Sequence, residues 1–455
     1  MAPRIVIIGG GSYQWAPTLV LDIANMPALQ DAELVLMDVD PAPLPKMVEL
    51  VEHVAKLRGI GLCATSTTDR RAALEGADYV VVTISTGGFA SMRHDLEVPA
   101  RHGIRQSVGD TVGPGGVSRA LRNIPVLVAI ARDMERLCPD AWMLNITNPM
   151  TTLCRAVTRE TSIRTVGLCH EVTVTRHVLA SLLGADAREL DLTVTGVNHF
   201  PVVTALRVDG RDALAELRDL AEHADERADE PLPIDLPEDL DPALRAQLTI
   251  GSVMQSHRIK FELLRRFGAL PAAGDRHLAE FLPGFLTEES GWGSEWGVHL
   301  TTIADRERSQ GDYVAALDAL LAADELPTAQ SGEIVAPLIA CFLTGEHGEF
   351  PMNLPNVGQC PDLPDDVVVE SVGVADGSGV RGRDHALAPP FLAEVLRRVA
   401  ASQELTVEAA LTGSRETAFE AMLADPLAGR TDYETVARMT DELIDATKPW
   451  LPQFA

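Results

Sequence analysis

A cysteine and a histidine stand side by side in "GLCHE" (167–171), and an asparagine and a histidine in "GVNHF" (196–200). A thiolate and an imidazole can together hold a divalent ion and leave positions open for substrate oxygens. Both pairs follow apolar runs, so both read as the ends of neighbouring strands in one sheet, with Cys169 and His199 facing one cleft. Taken singly, such residues are more often a buried thiol and a satisfied core imidazole. Asn148 in "NITNP" closes another apolar run, and Pro149 stops the ladder there. Its amide can donate and accept toward sugar-like hydroxyls. An Asx turn would use the same side chain.

The elements that carry these residues are read from the apolar pattern. Strands are expected at Arg4–Ile8, Glu33–Met37, Tyr79–Ile84, Trp142–Ile146, Arg164–Leu168 and Asp191–Val197, separated by helical stretches. Uninterrupted apolar runs of this kind fit a parallel sheet covered on both faces, with ligands at the carboxyl ends of its strands. The fold class is α/β: a Rossmann-like doubly wound parallel sheet over residues 1–200. A mixed α+β, mainly helical domain follows over residues 201–455, for substrate binding and oligomerisation. Within it, the acidic stretch 218–245 reads as a helix and then a mobile loop. "SVMQSHRIKFELLRRFG" reads as one long helix capped by Gly268. Residues 286–345 read as mainly helical, "PMNLPNVGQCPDLPDDVVVE" as a loop entering a strand, and 388–447 as helices.

The first strand runs into "GGGSYQWAP" (9–17). A tight glycine turn there lets backbone N–H groups approach a pyrophosphate at a helix N-terminus. Gly9 and Gly11 fit the first two glycines of the dinucleotide fingerprint, with Ser12 beside them, but Gln14 stands where the third belongs. The second strand ends at Asp38, where a carboxylate would accept from the adenosine ribose of NAD and repel the extra phosphate of NADP. A helix N-cap would use the same residue. The strand ending in "TISTGG" (83–88) brings Thr86 and Gly87, small enough for close approach by a cofactor. The three signals together point to NAD.

Composition sets the outer bounds. With 455 residues, 46% of them apolar, the chain can bury a large core. No run of eighteen apolar residues suggests a membrane span, and the N-terminus lacks a secretory pattern, so a cytoplasmic location is expected. The formal charge of −28, with no clustered cations, argues against nucleic acid. Six cysteines without a CxxC pair read as reduced thiols.

In combination the motifs resemble glycoside hydrolase family 4, the NAD-dependent glycosidases, over nearly the whole length. The resemblance is carried by "GGGS" (9–12), "GPGG" followed by "ALRNIP" (113–125), "TNP" (147–149), "GLCHE", "GVNHF", "GDRHLAEF" (274–281) and "DLPDDVVVE" (362–370). This family departs from the usual two-carboxylate scheme. The resemblance implies hydrolysis of unphosphorylated α-glycosides of a glucose-type sugar. The route is oxidation at C3, loss of the C2 proton, elimination of the aglycone, water addition and re-reduction. It implies NAD and a divalent metal, usually Mn2+, as cofactors, with Cys169 and His199 as the metal's ligands. It also implies a small-molecule glycoside as partner and a homodimer or homotetramer.

The resemblance assigns further roles residue by residue. His170 stands where some members have the acid that assists the leaving group; a metal neighbour or a substrate contact are its other readings. Some members use a tyrosine as the C2 base, but residues 268–285 contain none. Asp275 is expected to take that role, with an N-cap of a helix beginning at Arg276 as its plain alternative. Asn148 and Asn198 should meet sugar hydroxyls, beside Arg93 and Arg276, and Asn148 should also border the cofactor. The "CHE" triplet resembles that of members acting on unphosphorylated sugars. The arginines of "SMRHD", "ARHGIR" and "DRH" leave room for an anionic C6 group, a carboxylate or a sulfonate. That keeps NAD-dependent sulfoquinovosidases in view. A simple NAD-dependent sugar dehydrogenase would share the glycine turn and Asp38, and a non-catalytic sensor descended from such an enzyme is a further alternative.

Overall fold

The computed structural model describes residues 2–234 and 247–454. β1 (Arg4–Ile8), β2 (Glu33–Met37), β3 (Cys63–Thr67), β4 (Tyr79–Val82), β5 (Trp142–Asn145) and β6 (Arg164–Gly167) are parallel, in the order β3-β2-β1-β4-β5-β6. Strand order reverses between β1 and β4, which opens a crevice at their carboxyl ends. Successive side chains feed opposite faces: Ile5 and Ile7 pack with the helices Trp15–Asn25 and Leu44–Arg58, Val6 and Ile8 with the helix Gly113–Leu137. Each such buried side chain contributes about 1.5–3 kcal/mol, so the centre of the sheet is a fixed platform. β3 was not expected from the sequence. Its "CATST" lies at the sheet edge with Cys63, Ser66 and neighbours exposed, and so carries no apolar run.

The second half of the chain returns to this sheet. β11 (Gly348–Pro355), β12 (Val368–Asp376) and β13 (Gly379–Gly382) add to it antiparallel beyond β6, giving nine strands. The start of "PMNLPNVGQCPDLPDDVVVE" is therefore strand, not loop. Pro351 and Pro355 are tolerated because β11 pairs along its length only with β12 and meets β6 at Asn353 alone.

β7 (Leu190–Val197), β8 (Phe200–Val208), β9 (Arg211–Asp212) and β10 (Leu270–Pro271) form a separate antiparallel sheet in the order β10-β8-β7, with β9 on β8. This corrects the expectation that Asp191–Val197 neighbours Arg164–Leu168 in the parallel sheet. β7 is the first arm of a hairpin whose two-residue tip is Asn198-His199. The expected long helix is two, Ile250–Ser256 and Arg258–Phe267, broken at His257 with φ −133° and ψ 39°. Gly268 caps the second at φ +70°, as expected. Between 286 and 345 the longer helices are Ile303–Ala322 and Val335–Thr344, preceded by turns. The acidic stretch begins in the helix Ala213–Glu222. Most of the mobile loop expected after it, residues 235–246, lies outside the described residues. No described helix is long and apolar enough to cross a membrane.

Candidate active site

The crevice between β1 and β4 is shaped by glycines that have no room for a side chain. Gly9 has φ +94°, and a Cβ on it would lie 1.9 Å from the Thr83 carbonyl oxygen. One on Gly11 would lie 2.5 Å from Pro43 Cγ and 2.9 Å from Asp38 Oδ2. The Gly11 N–H donates to Asp38 Oδ2 at 3.0 Å, so the acid at the end of β2 also fixes the turn. Ser12 Oγ accepts the Trp15 N–H at 3.1 Å and starts the next helix. Gln14 takes ordinary helical angles, φ −81° and ψ −50°, which is why a third glycine is not needed there. On the β4 side the Thr86 N–H donates to Asn123 Oδ1 at 3.1 Å, and Gly87 at φ +83° lies against Ser91 and Trp450.

A second group of residues meets beside this crevice. His199, at the hairpin tip, has φ +65°, a left-handed conformation that a turn position imposes and few non-glycine residues adopt. Asp110 comes from the loop before the helix Gly113–Leu137, and His277 from the helix Asp275–Phe281. One donor atom from each of Asp110, His199 and His277 lies within 4.8 Å of the others, and the two imidazole rings are 3.6 Å apart. Burial, and then the neighbouring ring, lower His199 to about 3; burial lowers His277 to about 4, so both are neutral at pH 7. Burial works to raise Asp110, but His199, His277 and Arg119 turned toward it hold it well below the usual carboxylate range. Thr111 Oγ1 donates to Asp110 Oδ1 at 2.7 Å and lies 2.7 Å from His199 Nδ1. A hydroxyl has one hydrogen and the carboxylate can only accept, so His199 Nδ1 carries its own hydrogen and Nε2 keeps a free lone pair. Two neutral imidazoles and an ionised carboxylate suit a divalent ion of the manganese or zinc type.

Cys169 is not one of these three donors. It follows β6, buried among Met150, Cys154 and Val368, and burial and the charges of Glu370 and Glu171 push its thiol well above its usual value. Asn198 Nδ2 donates to Glu370 Oε2 at 3.1 Å, and Asn148 Nδ2 to Asp110 Oδ2 at 3.3 Å. The Oδ1 atoms of both asparagines are buried without a partner, as acceptors awaiting a ligand hydroxyl would be. Asp275 caps a neighbouring helix instead of its own: its oxygens accept the Ile259 and Lys260 N–H groups at 2.7 and 3.1 Å, while Gly274 precedes its helix. Burial raises it to about 6. Arg276 donates to the Ser107 carbonyl and Thr301 Oγ1, both at 2.6 Å, and leaves its Nε buried and free. Arg93 is half exposed and pairs with Glu97 and Glu307. His170 is partly exposed, its Nδ1 2.9 Å from Glu333 Oε1, a bond that raises its pKa.

A family model for the family 4 glycosyl hydrolases matches residues 4–185, and the model of that family's C-terminal domain matches residues 194–428. The chain belongs to family 4 of the glycosyl hydrolases. An α-galactosidase of Bacillus subtilis is 31% identical over 99% of each chain, and an α-galacturonidase of the same organism 33% identical over 95% of each. A 6-phospho-α-glucosidase from gut microorganisms, solved in complex with NAD and Mn2+, shares the fold with a TM-score of 0.80. It is 21% identical and is covered, like this chain, over its full length.

Sequence reasoning about this glycosyl hydrolase missed Asp110, which sits just before "GPGG", and His277, which sits inside "GDRH"; both lay in or beside quoted motifs. It also missed Glu280, fully buried on the helix that carries His277. Its Oε1 accepts the Val108 and Gly109 N–H groups at 2.7 and 2.9 Å and so holds the loop that carries Asp110. Burial raises Glu280 to about 8. The folded state therefore binds this proton more tightly than the unfolded chain, and the site's contribution to stability falls as pH rises from the ordinary carboxylate value toward 8. Glu280→Gln keeps the accepting oxygen and removes the titration. Thermal midpoints at pH 5 and pH 8 should show its advantage over the parent growing with pH, by at most about 1.4 kcal/mol per pH unit. A constant difference would remove the assigned titration.

Proposed function

We propose that this glycosidase hydrolyses α-galacturonides, using NAD and a divalent metal in each turnover. The observation that carries the choice of sugar is the set of arginines around Asp110 and His277. Arg119, Arg276 and Arg306 act on one another and on the site electrostatically, and none is ion-paired among the described residues. The Nε atoms of Arg276 and Arg306 are buried without acceptors. An anionic group on the sugar supplies what this wall lacks, and a C6 carboxylate fits the fork of a guanidinium. The identity to an α-galacturonidase supports the same choice.

The glycine turn, Ser12, Asp38, Thr86 and Gly87 would hold NAD, with Asn148 at the crevice edge; Cys169 and His199 would hold the metal, with Asp110 and His277 within reach. When bound, NAD takes and returns a hydride at C3 and the metal draws charge from the adjoining oxygens, which makes the C2 proton removable. Asp275, raised by burial to about 6, is the base for that proton. His170 gives a proton to the glycosidic oxygen. Asn148 and Asn198 orient hydroxyls through their free Oδ1 atoms, and Arg276 and Arg306 hold the C6 end, with Arg93 at the surface nearby. In this scheme residues 1–200 carry the cofactor and share the sugar contacts with residues 201–455, and the enzyme assembles as a homodimer or homotetramer.

The test is a panel of nitrophenyl α-galacturonide, α-galactoside, α-glucoside, α-glucuronide and α-sulfoquinovoside with NAD, Mn2+ and reductant. The galacturonide is expected to give the highest kcat/KM. Release should stop without NAD or with chelator, and NADH should not accumulate. NADH accumulating without nitrophenol would make the protein a dehydrogenase; a preference for the sulfonated sugar would move the anion from carboxylate to sulfonate. Arg306→Ala should lower kcat/KM on the galacturonide about 10–100-fold, the worth of one charged hydrogen bond. That loss should exceed the loss on the neutral galactoside by roughly tenfold or more.

A further inference from the structure

We propose that Glu333 is a positioning residue for this reaction: it holds His170 so that the imidazole meets the glycosidic oxygen, and it thereby sets how well unactivated aglycones leave. The inference rests on the glycosidase reaction above with His170 as its acid. The bond between His170 Nδ1 and Glu333 Oε1 is 2.9 Å long. A carboxylate only accepts, so Nδ1 carries the hydrogen and Nε2 is the nitrogen left to face the sugar. Nε2 lies 3.9 Å from Glu171 Oε1, too far for a hydrogen bond that would hold it back. The Glu333 side chain is 13% exposed and the His170 ring 40%, so the carboxylate is the buried partner and the ring the one open to solvent.

Glu333 is itself anchored to the element that follows the glycine turn. Its N–H donates to Ser331 Oγ at 3.2 Å. The Ser331 N–H donates to Asp22 Oδ1 at 2.8 Å, its hydroxyl donates to Asp22 Oδ2, and Asp22 is buried in the helix Trp15–Asn25. Asn25 of the same helix donates to the Ala329 carbonyl at 3.1 Å. Trp15, at the start of this helix, has its ring 6.5 Å from that of His170. The imidazole is thus referenced to the cofactor crevice and not to the hairpin that carries His199. Among the described residues His170 is the one ion-pair partner of Glu333.

With C3 at the ketone level and the C2 proton on the base, the electron pair at C2 forms a C1–C2 double bond as the C1–O bond breaks. His170 Nε2 delivers its proton to the departing oxygen, and the aglycone leaves as a neutral alcohol. Water then adds its hydroxyl to C1 and returns a proton to His170, while the base returns the original proton to C2. A nitrophenolate leaves without a proton, whereas an alkoxide does not. Loss of aim at His170 is therefore felt mainly by alkyl aglycones.

The experiment compares nitrophenyl and methyl α-galacturonide with the full-length enzyme, NAD and Mn2+. Glu333→Gln is expected to lower kcat/KM on the methyl glycoside about 10–100-fold, part of what general acid catalysis supplies. This loss should be at least about tenfold larger than the loss on the nitrophenyl glycoside. In a His170→Ala background the same change should add nothing, because Glu333 acts through His170. Equal loss on both glycosides, no loss on either, or additivity with His170→Ala overturns the proposal. If Glu333→Gln does not fold, as judged by its thermal midpoint, Ser331→Ala loosens the anchor without touching His170 and is read by the same ratio. A parent enzyme that releases neither aglycone in an NAD-dependent way overturns the galacturonidase assignment instead.

Discussion

His199→Ala is expected to abolish metal-dependent turnover while leaving the protein folded. His199 contributes a neutral imidazole whose Nδ1 hydrogen is committed to Thr111, so the lone pair on Nε2 is fixed in direction. Alanine removes that donor. Polarisation by a bound divalent ion is worth several kcal/mol, which converts to a loss on the order of 10³-fold in kcat/KM. Mn2+ affinity, followed by the electron paramagnetic resonance signal of the free ion, should fall by more than the roughly 10–100-fold typical of an outer-partner mutation. The backbone sets a useful control. At φ +65° alanine stays in a strained conformation and glycine does not, so His199→Gly should be as inactive as alanine and about 1 kcal/mol more stable. Unchanged Mn2+ affinity in either variant would take His199 out of the metal site. Cys169→Ser, His277→Ala and Asp110→Asn, titrated alongside, show which of them complete the donor set.

Asp95→Ala should produce the largest loss of stability. Asp95 and Arg122 are both buried, and the carboxylate takes two parallel bonds, from Nη1 to Oδ1 at 2.8 Å and from Nη2 to Oδ2 at 2.6 Å. Ser118 Oγ accepts from the same guanidinium at 2.9 Å. Removing one partner strands the other charge in the interior, which costs about 3–5 kcal/mol. For a chain of this length that lowers the thermal midpoint by roughly 3–5 °C. The effect should reach the cofactor, because Arg122 Nε also faces the Thr86 carbonyl at 3.4 Å. Replacing both residues together, Asp95→Leu with Arg122→Met, should recover much of the stability, since neither charge then needs solvation. Single variants that each cost less than about 1 kcal/mol would show that water compensates the charge.

The parallel strands were legible because both faces of the central sheet are buried: each strand must be apolar throughout, and Val, Ile and Leu runs mark it directly. The glycine turn was legible for an equally local reason. At Gly9 and Gly11 a Cβ would collide with Thr83 or with Pro43 and Asp38, so the residue type itself records the close approach. β3 escaped because an edge strand is solvated and its composition carries no such mark. β11 escaped because two prolines read as loop until the sheet shows that one side of the strand is nearly unpaired.

By itself, then, the sequence determined the doubly wound sheet, the NAD-shaped turn, the acid at the end of β2, and the residue types that a sugar-cleaving metal site needs. Those features follow from burial and steric constraints acting within a few residues of each other. Tertiary structure alone decided which of those residues meet. Asp110, His199 and His277 come from a loop, a hairpin tip and a helix, and the hairpin belongs to a different sheet from the one that presents Cys169. The sequence around Asp275 suggests a cap of its own helix, and only packing shows that its oxygens accept from the first turn of the helix Arg258–Phe267 instead. Glu333 has no motif around it, and reaches His170 because Ser331 fastens its segment to Asp22. Contacts of that kind depend on register and on the packing of distant elements, and no local property of the chain encodes them.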